Sequence, residues 1–125
     1  GRIPAQEFIN LVNEAGGVCI SAHPFRTNNR GLKDNLYTIQ GLAGIEGYNG
    51  STDEKNNLKA VESAKKLGIQ VVGSSDAHHQ VAVGRFATKL PFPVKNVDEL
   101  IKAIKTNKCV PIVYEDGTYK EIKKD

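Results

Sequence analysis

Residues 69–78 read IQVVGSSDAH, and this stretch decides which fold the chain is expected to adopt. A short, mostly apolar run that ends in glycine and serine predicts a strand covered on both faces and then a loop. Asp76 and His78 lie in that loop. In α/β proteins with parallel strands, chemistry collects at the carboxyl ends of the strands, so these two residues mark a candidate site.

A second stretch repeats this pattern earlier in the chain. Residues 18–26 read VCISAHPFR, in which an apolar run leads to His23. Asp76 and His78 are two residues apart and would project to the same side of an extended chain. Together with His23 they predict two walls of one metal site. Imidazole and carboxylate ligands suit a divalent ion, and the sequence does not distinguish between zinc, manganese and iron.

The remaining sequence alternates between helix and strand patterns. Strands alternating with helices of this length favour an α/β fold with mostly parallel strands and flanking helices. In the first half we expect a helix from Pro4 with Phe8, Leu11, Val12 and Ala15 on its apolar face, a loop over 27–40 with one helical turn, a strand at 44–49 and a turn at 50–53. In the second half we expect a helix capped by Thr52 or Asp53 and ended by Gly68, a strand at 85–90, a helix after a capping box at Asn96 and Glu99, and a strand or hairpin over 109–122.

Composition bounds the class of protein. The chain has 125 residues and a net charge of +3, with part of the excess in the lysines of its last six residues. A nucleic-acid groove needs a denser basic stripe, so nucleic acid is an unlikely partner. No apolar run approaches the roughly 18 residues of a membrane span. Cys19 and Cys109 form no CxxC pair, which favours reduced, buried thiols and a cytoplasmic location.

Four other residues are candidates for supporting roles. Glu46 lies inside a predicted strand, where a buried carboxylate needs a partner, and Asn49 ends that strand. Either residue orients a ligand histidine or makes a structural hydrogen bond. Arg26 and Arg85 flank the two site segments and have the geometry to hold a phosphate, although solvated or salt-bridged arginines are equally consistent with the pattern.

Three segments together resemble a known family. AHPFR at 22–26, GIEGYN at 44–49 and GSSDAH at 73–78, followed by Val83 and Gly84, resemble the C-terminal half of the PHP (polymerase and histidinol phosphatase) domain. This superfamily contains metal-dependent phosphoesterases. The resemblance covers roughly residues 4–111.

The resemblance implies the C-terminal portion of a distorted (β/α)₇ barrel with two or three divalent metals at the strand ends. His23 is similar to the ligand of the third family motif, and Asp76 and His78 to the paired ligands of the fourth. The metals would activate a water that attacks a phosphate ester. We expect one partial domain over residues 1–125, with a half-barrel and both motifs in 1–90 and a helix and strand or hairpin in 91–125.

The chain also departs from the family pattern. The family begins with a His-x-His motif and a second ligand motif, and this chain has histidines only at 23, 78 and 79. Three ligands hold such a cluster poorly. We therefore expect an enzyme as the parent protein, extending before Gly1 or completed by a second chain, and little activity from the isolated chain. A metal-poor structural or regulatory module is the alternative.

Overall fold

The computed structural model describes residues 3–28 and 30–123. Asn29 of the predicted loop and Lys124 and Asp125 of the basic tail lie outside the described residues. The described part contains helices α1 (Ala5–Glu14), α2 (Glu54–Leu67) and α3 (Val97–Lys105), two 3₁₀ helices (Lys33–Tyr37 and Gln80–Ala82), and strands β1 (Ile20–Ser21), β2 (Gly44–Asn49), β3 (Val71–Ser74), β4 (Phe86–Lys89), β5 (Val110–Glu115) and β6 (Thr118–Glu121).

The described strands form two separate three-stranded sheets. β1, β2 and β3 pair in parallel, in that order, and β4, β5 and β6 pair antiparallel, in that order. The predicted portion of a (β/α)₇ barrel is therefore wrong. The parallel pattern ends at β3, because β4 pairs antiparallel with β5. Asp116 and Gly117, both with positive φ (51° and 81°), close the β5–β6 hairpin, as tight hairpin turns require.

A threonine joins the two sheets in place of a backbone ladder. Thr88 Oγ1 of β4 donates to the carbonyl oxygen of Gly73 at 2.7 Å and accepts from its amide at 3.0 Å. A Cβ at position 73 would lie 2.7 Å from the carbonyl oxygen of Ala87. Glycine at this position therefore lets β4 approach β3 closely, and the hydroxyl satisfies the strand's backbone groups.

The helix ends follow the sequence signals. Asp53 caps α2 by accepting from the amide of Asn56, and Gly68 ends it in the left-handed conformation (φ 70°). Asn96 caps α3 through the amide of Glu99 at 2.9 Å. The Glu99 carboxylate reaches back to the amide of Lys95, one residue before the position that a capping box uses. Both predicted helix starts are confirmed.

The hydrophobic core lies between α2, the parallel sheet and the first 3₁₀ helix. Its buried residues are Leu36, Ile45, Ala60 and Ala64. Leu36 belongs to the 3₁₀ helix Lys33–Tyr37, which confirms the helical turn predicted within the polar loop. The apolar face predicted for α1 is wrong, because Phe8 and Leu11 are about half exposed (53% and 51%) whereas Ile9 is buried. No helix in residues 3–28 or 30–123 is long and apolar enough to cross a bilayer.

The two cysteines are both free thiols, but they differ in burial. Cys109 is buried, as predicted, and Cys19 is only partly covered. Burial raises the pKa of both thiols. Because the folded chain then holds the proton more tightly than the unfolded chain, the thiols add stability below about pH 8.5 and lose it as the pH rises through their folded pKa.

This difference in burial predicts a difference in reactivity. Iodoacetamide at mildly alkaline pH is expected to modify Cys109 at least about tenfold more slowly than it modifies a cysteine of the urea-unfolded chain, because the thiol is both covered and protonated. The rate at which Cys19 is modified should lie between the rate for Cys109 and the rate for the unfolded chain. Mass spectrometry of timed samples measures both. Equal rates for Cys109 in the folded and unfolded chains would contradict the burial.

Candidate functional site

The carboxyl ends of the three parallel strands lie at one edge of the sheet. His23 follows β1 by two residues, Asn49 is the last residue of β2, and Asp76 follows β3 by two residues. Asn49 pairs with Ser74, the last residue of β3. Parallel pairing therefore places polar groups from all three strands close together, as the sequence predicts for residues at strand ends.

Asn49 is the centre of this polar network. Its side chain is 1% exposed, and its Nδ2 donates to Glu46 Oε1 at 2.9 Å and to Asp76 Oδ2 at 3.1 Å. Its Oδ1 accepts from the amide of Ser51 and the hydroxyl of Thr52, both at 2.9 Å. Two carboxylates on one side and two donors on the other fix the orientation of the amide.

α2 holds the backbone of Asn49 through a second buried amide. Asn57 Oδ1 accepts from the amide of Asn49 at 3.2 Å, and Asn57 Nδ2 donates to its carbonyl oxygen at 3.0 Å. Asn57 is 6% exposed. The side chain of Asn57 therefore supplies two hydrogen bonds to the backbone of Asn49, of the kind that a neighbouring strand would make, and these hold Asn49 in place at the end of β2.

Glu46 joins all three parallel strands through one carboxylate. Its Oε1 accepts from the amide of His23 at 2.8 Å and from Asn49, and its Oε2 accepts from the hydroxyl of Ser74. The negative charge is thus met by three donors, as a partly buried carboxylate requires. The sequence allowed Glu46 to orient a histidine, and the structure shows that it holds the backbone of His23.

Asp76 presents its carboxylate to the same network. Arg26 Nη1 lies 2.8 Å from Asp76 Oδ2, and the two side chains are 27% and 29% exposed. The backbone carbonyl oxygen of Asp76 accepts from Ser51 Oγ at 2.6 Å and from His78 Nδ1 at 3.0 Å. Asp76 has a left-handed backbone (φ 47°), which costs of the order of 1 kcal/mol and which aspartate adopts more readily than most residues.

His78 follows Asp76 on a part of the chain that is not extended. β3 ends at Ser74, and the turn at Asp76 leaves His78 exposed. Since its Nδ1 meets a carbonyl oxygen, Nδ1 is the protonated nitrogen, and Nε2 of the neutral ring keeps its lone pair. The chain is therefore not extended from Asp76 to His78, and the rule of alternating sides, on which the expectation of a shared direction rested, does not apply to this pair.

His23 lies at the edge of the network with its ring nitrogen unpaired. Its Nδ1 is buried and has no hydrogen-bond partner among the described residues, which is rare for a buried polar atom. Its φ of 25° also lies in the positive range. The turn is tightly packed, because a Cβ on Gly31 would lie 2.3 Å from the carbonyl oxygen of Pro24.

Arg85, the second predicted phosphate contact, lies elsewhere. Its side chain is exposed, and the guanidinium sits over the ring of Phe86, 5.2 Å from the ring centre. It lines a groove between α2 and the antiparallel sheet together with Tyr48 and Thr52. The structure therefore groups Arg26, and not Arg85, with Asp76.

The described residues do not by themselves complete a metal site. In residues 3–28 and 30–123, no group of three or more His, Cys, Asp or Glu side chains is arranged to hold a metal ion. The unpaired Nδ1 of His23 and the lone pair of His78 Nε2 suit a cation, but they are not gathered with Asp76 into one cage. A tetrahedral or octahedral centre would need further ligands.

Sequence reasoning missed several polar residues that build the network. Ser51 was predicted only as part of a turn, Thr52 as part of the same turn or as a helix cap, and Ser74 only as the end of a strand. Asn57 lies on the buried face of α2, in helical spacing with Ala60 and Ala64, and this spacing was an available signal. A second signal was the concentration of small hydroxyl residues directly after two strands.

One comparison with known proteins gives a match. Residues 54–109 match the family model described as PHP-associated. The resemblance to the C-terminal region of the PHP superfamily is therefore confirmed for this segment, which runs from α2 to Cys109 and contains Asp76 and His78. His23, Glu46 and Asn49 lie outside it. No curated protein and no solved structure matches the chain.

Proposed function

We propose that this chain, whose residues 54–109 form a PHP-associated segment, is part of a metal-dependent phosphoesterase that hydrolyses a phosphate ester. The observation that carries the proposal is the environment of Asp76. Its carboxylate receives an arginine from the end of β1 and an amide from the end of β2. A carboxylate held at the meeting point of three strand ends, on a left-handed backbone, is typical of a functional site.

The proposal assigns three candidate ligands to a metal ion. His23, Asp76 and His78 would contribute to a centre for zinc, manganese or iron, and the remaining ligands would come from outside the described ranges or from a second chain. Such a centre would supply an activated water and polarise a phosphoryl oxygen of the substrate. The described residues alone do not fit a complete centre, so the contribution of this chain is to hold and position groups.

The roles of the other network residues follow from their contacts. Arg26 is the proposed phosphate contact, because its planar guanidinium suits phosphate oxygens and its Nη1 already donates to an oxygen of Asp76. Asn49 and Glu46 are positioning residues that fix Asp76 and the His23 backbone. Arg85 remains a weaker proposal for a phosphate contact, since it lies on the Phe86 ring. The substrate would be a phosphorylated small molecule.

A structural or regulatory module is the second candidate function. The absence of a three-ligand group in residues 3–28 and 30–123 favours it. In such a module the network would only stabilise the sheet edge, and Asp76 would have no part in turnover.

Hydrolysis of p-nitrophenyl phosphate by the natural full-length protein distinguishes the two functions. The protein is assayed with manganese, zinc or iron, beside an Asp76→Asn variant. The phosphoesterase proposal predicts that the variant loses at least about a hundredfold in turnover. Asp34→Asn is the matched control, because Asp34 is exposed on a 3₁₀ helix. Unchanged turnover in Asp76→Asn, or no turnover with any metal, would favour the structural module.

A further inference from the structure

Lys33, the first residue of the first 3₁₀ helix, has a backbone conformation that lysine rarely adopts. Its φ is 51°, in the left-handed range. Five non-glycine residues of the described ranges have positive φ, and the other four are His, Asp or Asn, the types that tolerate it best. A residue persists in a costly conformation where its surroundings require it, so the contacts of Lys33 indicate why it is held there.

Two hydrogen bonds join Lys33 to the turn that carries Arg26. Its amide donates to the carbonyl oxygen of Pro24, and its Nζ donates to the carbonyl oxygen of Arg26, both at 2.8 Å. Gly31 packs against the same turn, since a Cβ there would lie 2.3 Å from the carbonyl oxygen of Pro24. The segment that enters the 3₁₀ helix therefore holds the turn through both its backbone and the lysine side chain.

These contacts leave the backbone of Arg26 with little freedom. Its amide donates to the carbonyl oxygen of His23 at 3.1 Å, and its carbonyl oxygen accepts from the amide of Asn28 at 2.9 Å as well as from Lys33 Nζ. Both lone pairs of that carbonyl oxygen are thus used. The guanidinium, whose Nη1 lies 2.8 Å from Asp76 Oδ2, therefore starts from a fixed backbone.

A fixed backbone matters for a side chain as long as that of Arg26. An arginine side chain loses much rotamer entropy when it is ordered, and a backbone that moves adds to the freedom that the contact must overcome. The Arg26 side chain is 27% exposed, so water competes for its hydrogen bonds. Without the bond from Lys33 Nζ, the guanidinium should therefore spend less time on Asp76.

We propose that Lys33 is a positioning residue, which keeps the Arg26 guanidinium beside Asp76 by holding the carbonyl oxygen of Arg26. The left-handed conformation is the one in which the amide and the Nζ of this residue both reach the turn. The inference rests on the proposed function in taking Arg26 as the phosphate contact. Lys33 acts through Arg26 and is assigned no contact with the phosphate.

Hydrogen exchange of the Arg26 guanidinium, followed by nuclear magnetic resonance, tests this in the full chain. The Arg26→Gln variant identifies the signal. Lys33→Met keeps the alkyl stem and loses the donor, so its Arg26 guanidinium should exchange at least about fivefold faster than in the wild type. Lys33→Arg keeps a donor on a long side chain, and exchange in this variant should be at most about half as fast as in Lys33→Met.

Two further variants separate the lost hydrogen bond from other effects of substitution. Glycine takes a φ of 51° without strain, so Lys33→Gly removes the donor and leaves no strained residue. Its Arg26 guanidinium should exchange as fast as in Lys33→Met. Lys66→Met is the matched control, because Lys66 is exposed on α2, and Arg26 should exchange there at the wild-type rate.

The natural full-length protein gives the functional readout. Lys33→Met should raise the KM for p-nitrophenyl phosphate at least about fivefold and change kcat by less than about twofold, because it weakens a binding contact. Wild-type exchange in Lys33→Met, slow exchange in Lys33→Gly or an unchanged KM would each overturn the inference. A full-length wild type without turnover would refute the proposed function alone, since exchange is measured without substrate.

Discussion

Replacing Asn49 by aspartate is expected to destabilise the fold by about 3 kcal/mol at neutral pH. The new carboxylate oxygen would lie where Nδ2 now donates, 2.9 Å from Glu46 Oε1 and 3.1 Å from Asp76 Oδ2. Two hydrogen bonds are lost, and three carboxylates then face one another in a site that is nearly closed to water. The shape of the side chain is unchanged, so the effect reports the loss of the NH₂ group.

Urea denaturation at several pH values measures the effect of Asn49→Asp. The loss should shrink as the pH falls, because the introduced carboxyl group, once protonated, can donate one hydrogen bond to a neighbour. Asn35→Asp is the matched control: Asn35 is exposed, and its described hydrogen bonds use backbone atoms. It should stay within about 0.5 kcal/mol of the wild type. Equal stability of the two variants would show that Asn49 does not bridge the carboxylates.

Gly50→Ala is expected to cost about 3 kcal/mol, because the added methyl group meets backbone and not a movable side chain. A Cβ at position 50 would lie 2.4 Å from the carbonyl oxygen of Ser75 and 3.1 Å from its Cα. The amide of Gly50 also donates to the carbonyl oxygen of Ser74 at 3.0 Å. The clash must push the loop after β2 away from the segment that carries Asp76, so both stability and the network suffer.

Thermal and urea unfolding of Gly50→Ala should be compared with Gly17→Ala. At position 17 the nearest atom to an added Cβ is a methyl carbon of Val12, 2.9 Å away, and the carbonyl oxygen of Val12 is farther, at 3.4 Å, so the clash is less severe than at position 50. Gly17→Ala should lower the free energy of unfolding by at least about 1 kcal/mol less than Gly50→Ala does. The close approach of Gly50 to Ser75 would be contradicted by a Gly50→Ala variant as stable as the wild type.

Local patterns in the sequence were sufficient to predict the strands and helix starts near the site. Apolar runs ending in polar residues located β1, β2 and β3, and cap residues located the start of α2 and α3. These predictions succeed because strand cores and helix caps depend on neighbours in sequence. The 109–122 segment was correctly predicted as a strand or hairpin for the same reason, since the Asp-Gly turn is local.

The arrangement of the sheets needed contacts that sequence patterns do not record. β4 had the composition of a short strand, but nothing in residues 85–90 states whether it pairs with β3 or with β5. The structure shows Thr88 bonded to Gly73 and a ladder between β4 and β5. The barrel prediction extended the parallel pattern of β1–β3 past the point at which it ends.

The candidate site was located in part. Its place at the carboxyl ends of the strands was predicted. The structure pairs Arg26 with Asp76, which is the salt-bridged alternative that the sequence left open for this arginine, and the phosphate and metal roles of the two residues stay predictions. The central role of Asn49 was not foreseen, because an asparagine at a strand end is usually explained by its turn. The premise for the direction of His78 was wrong, because the chain is not extended after Ser74 and the rule of alternating sides applies only to extended chain.

A double-mutant cycle between Arg26→Gln and Asp76→Asn tests the central claim most directly. The claim is that groups from the separate ends of β1 and β3 meet at Asp76 in the folded chain. The free energies of unfolding of the wild type, both single variants and the double variant give the coupling between the two side chains. A coupling of about 1 kcal/mol or more is predicted for a contact of 2.8 Å between partly buried charges. Additive effects, with a coupling below about 0.3 kcal/mol, would contradict it.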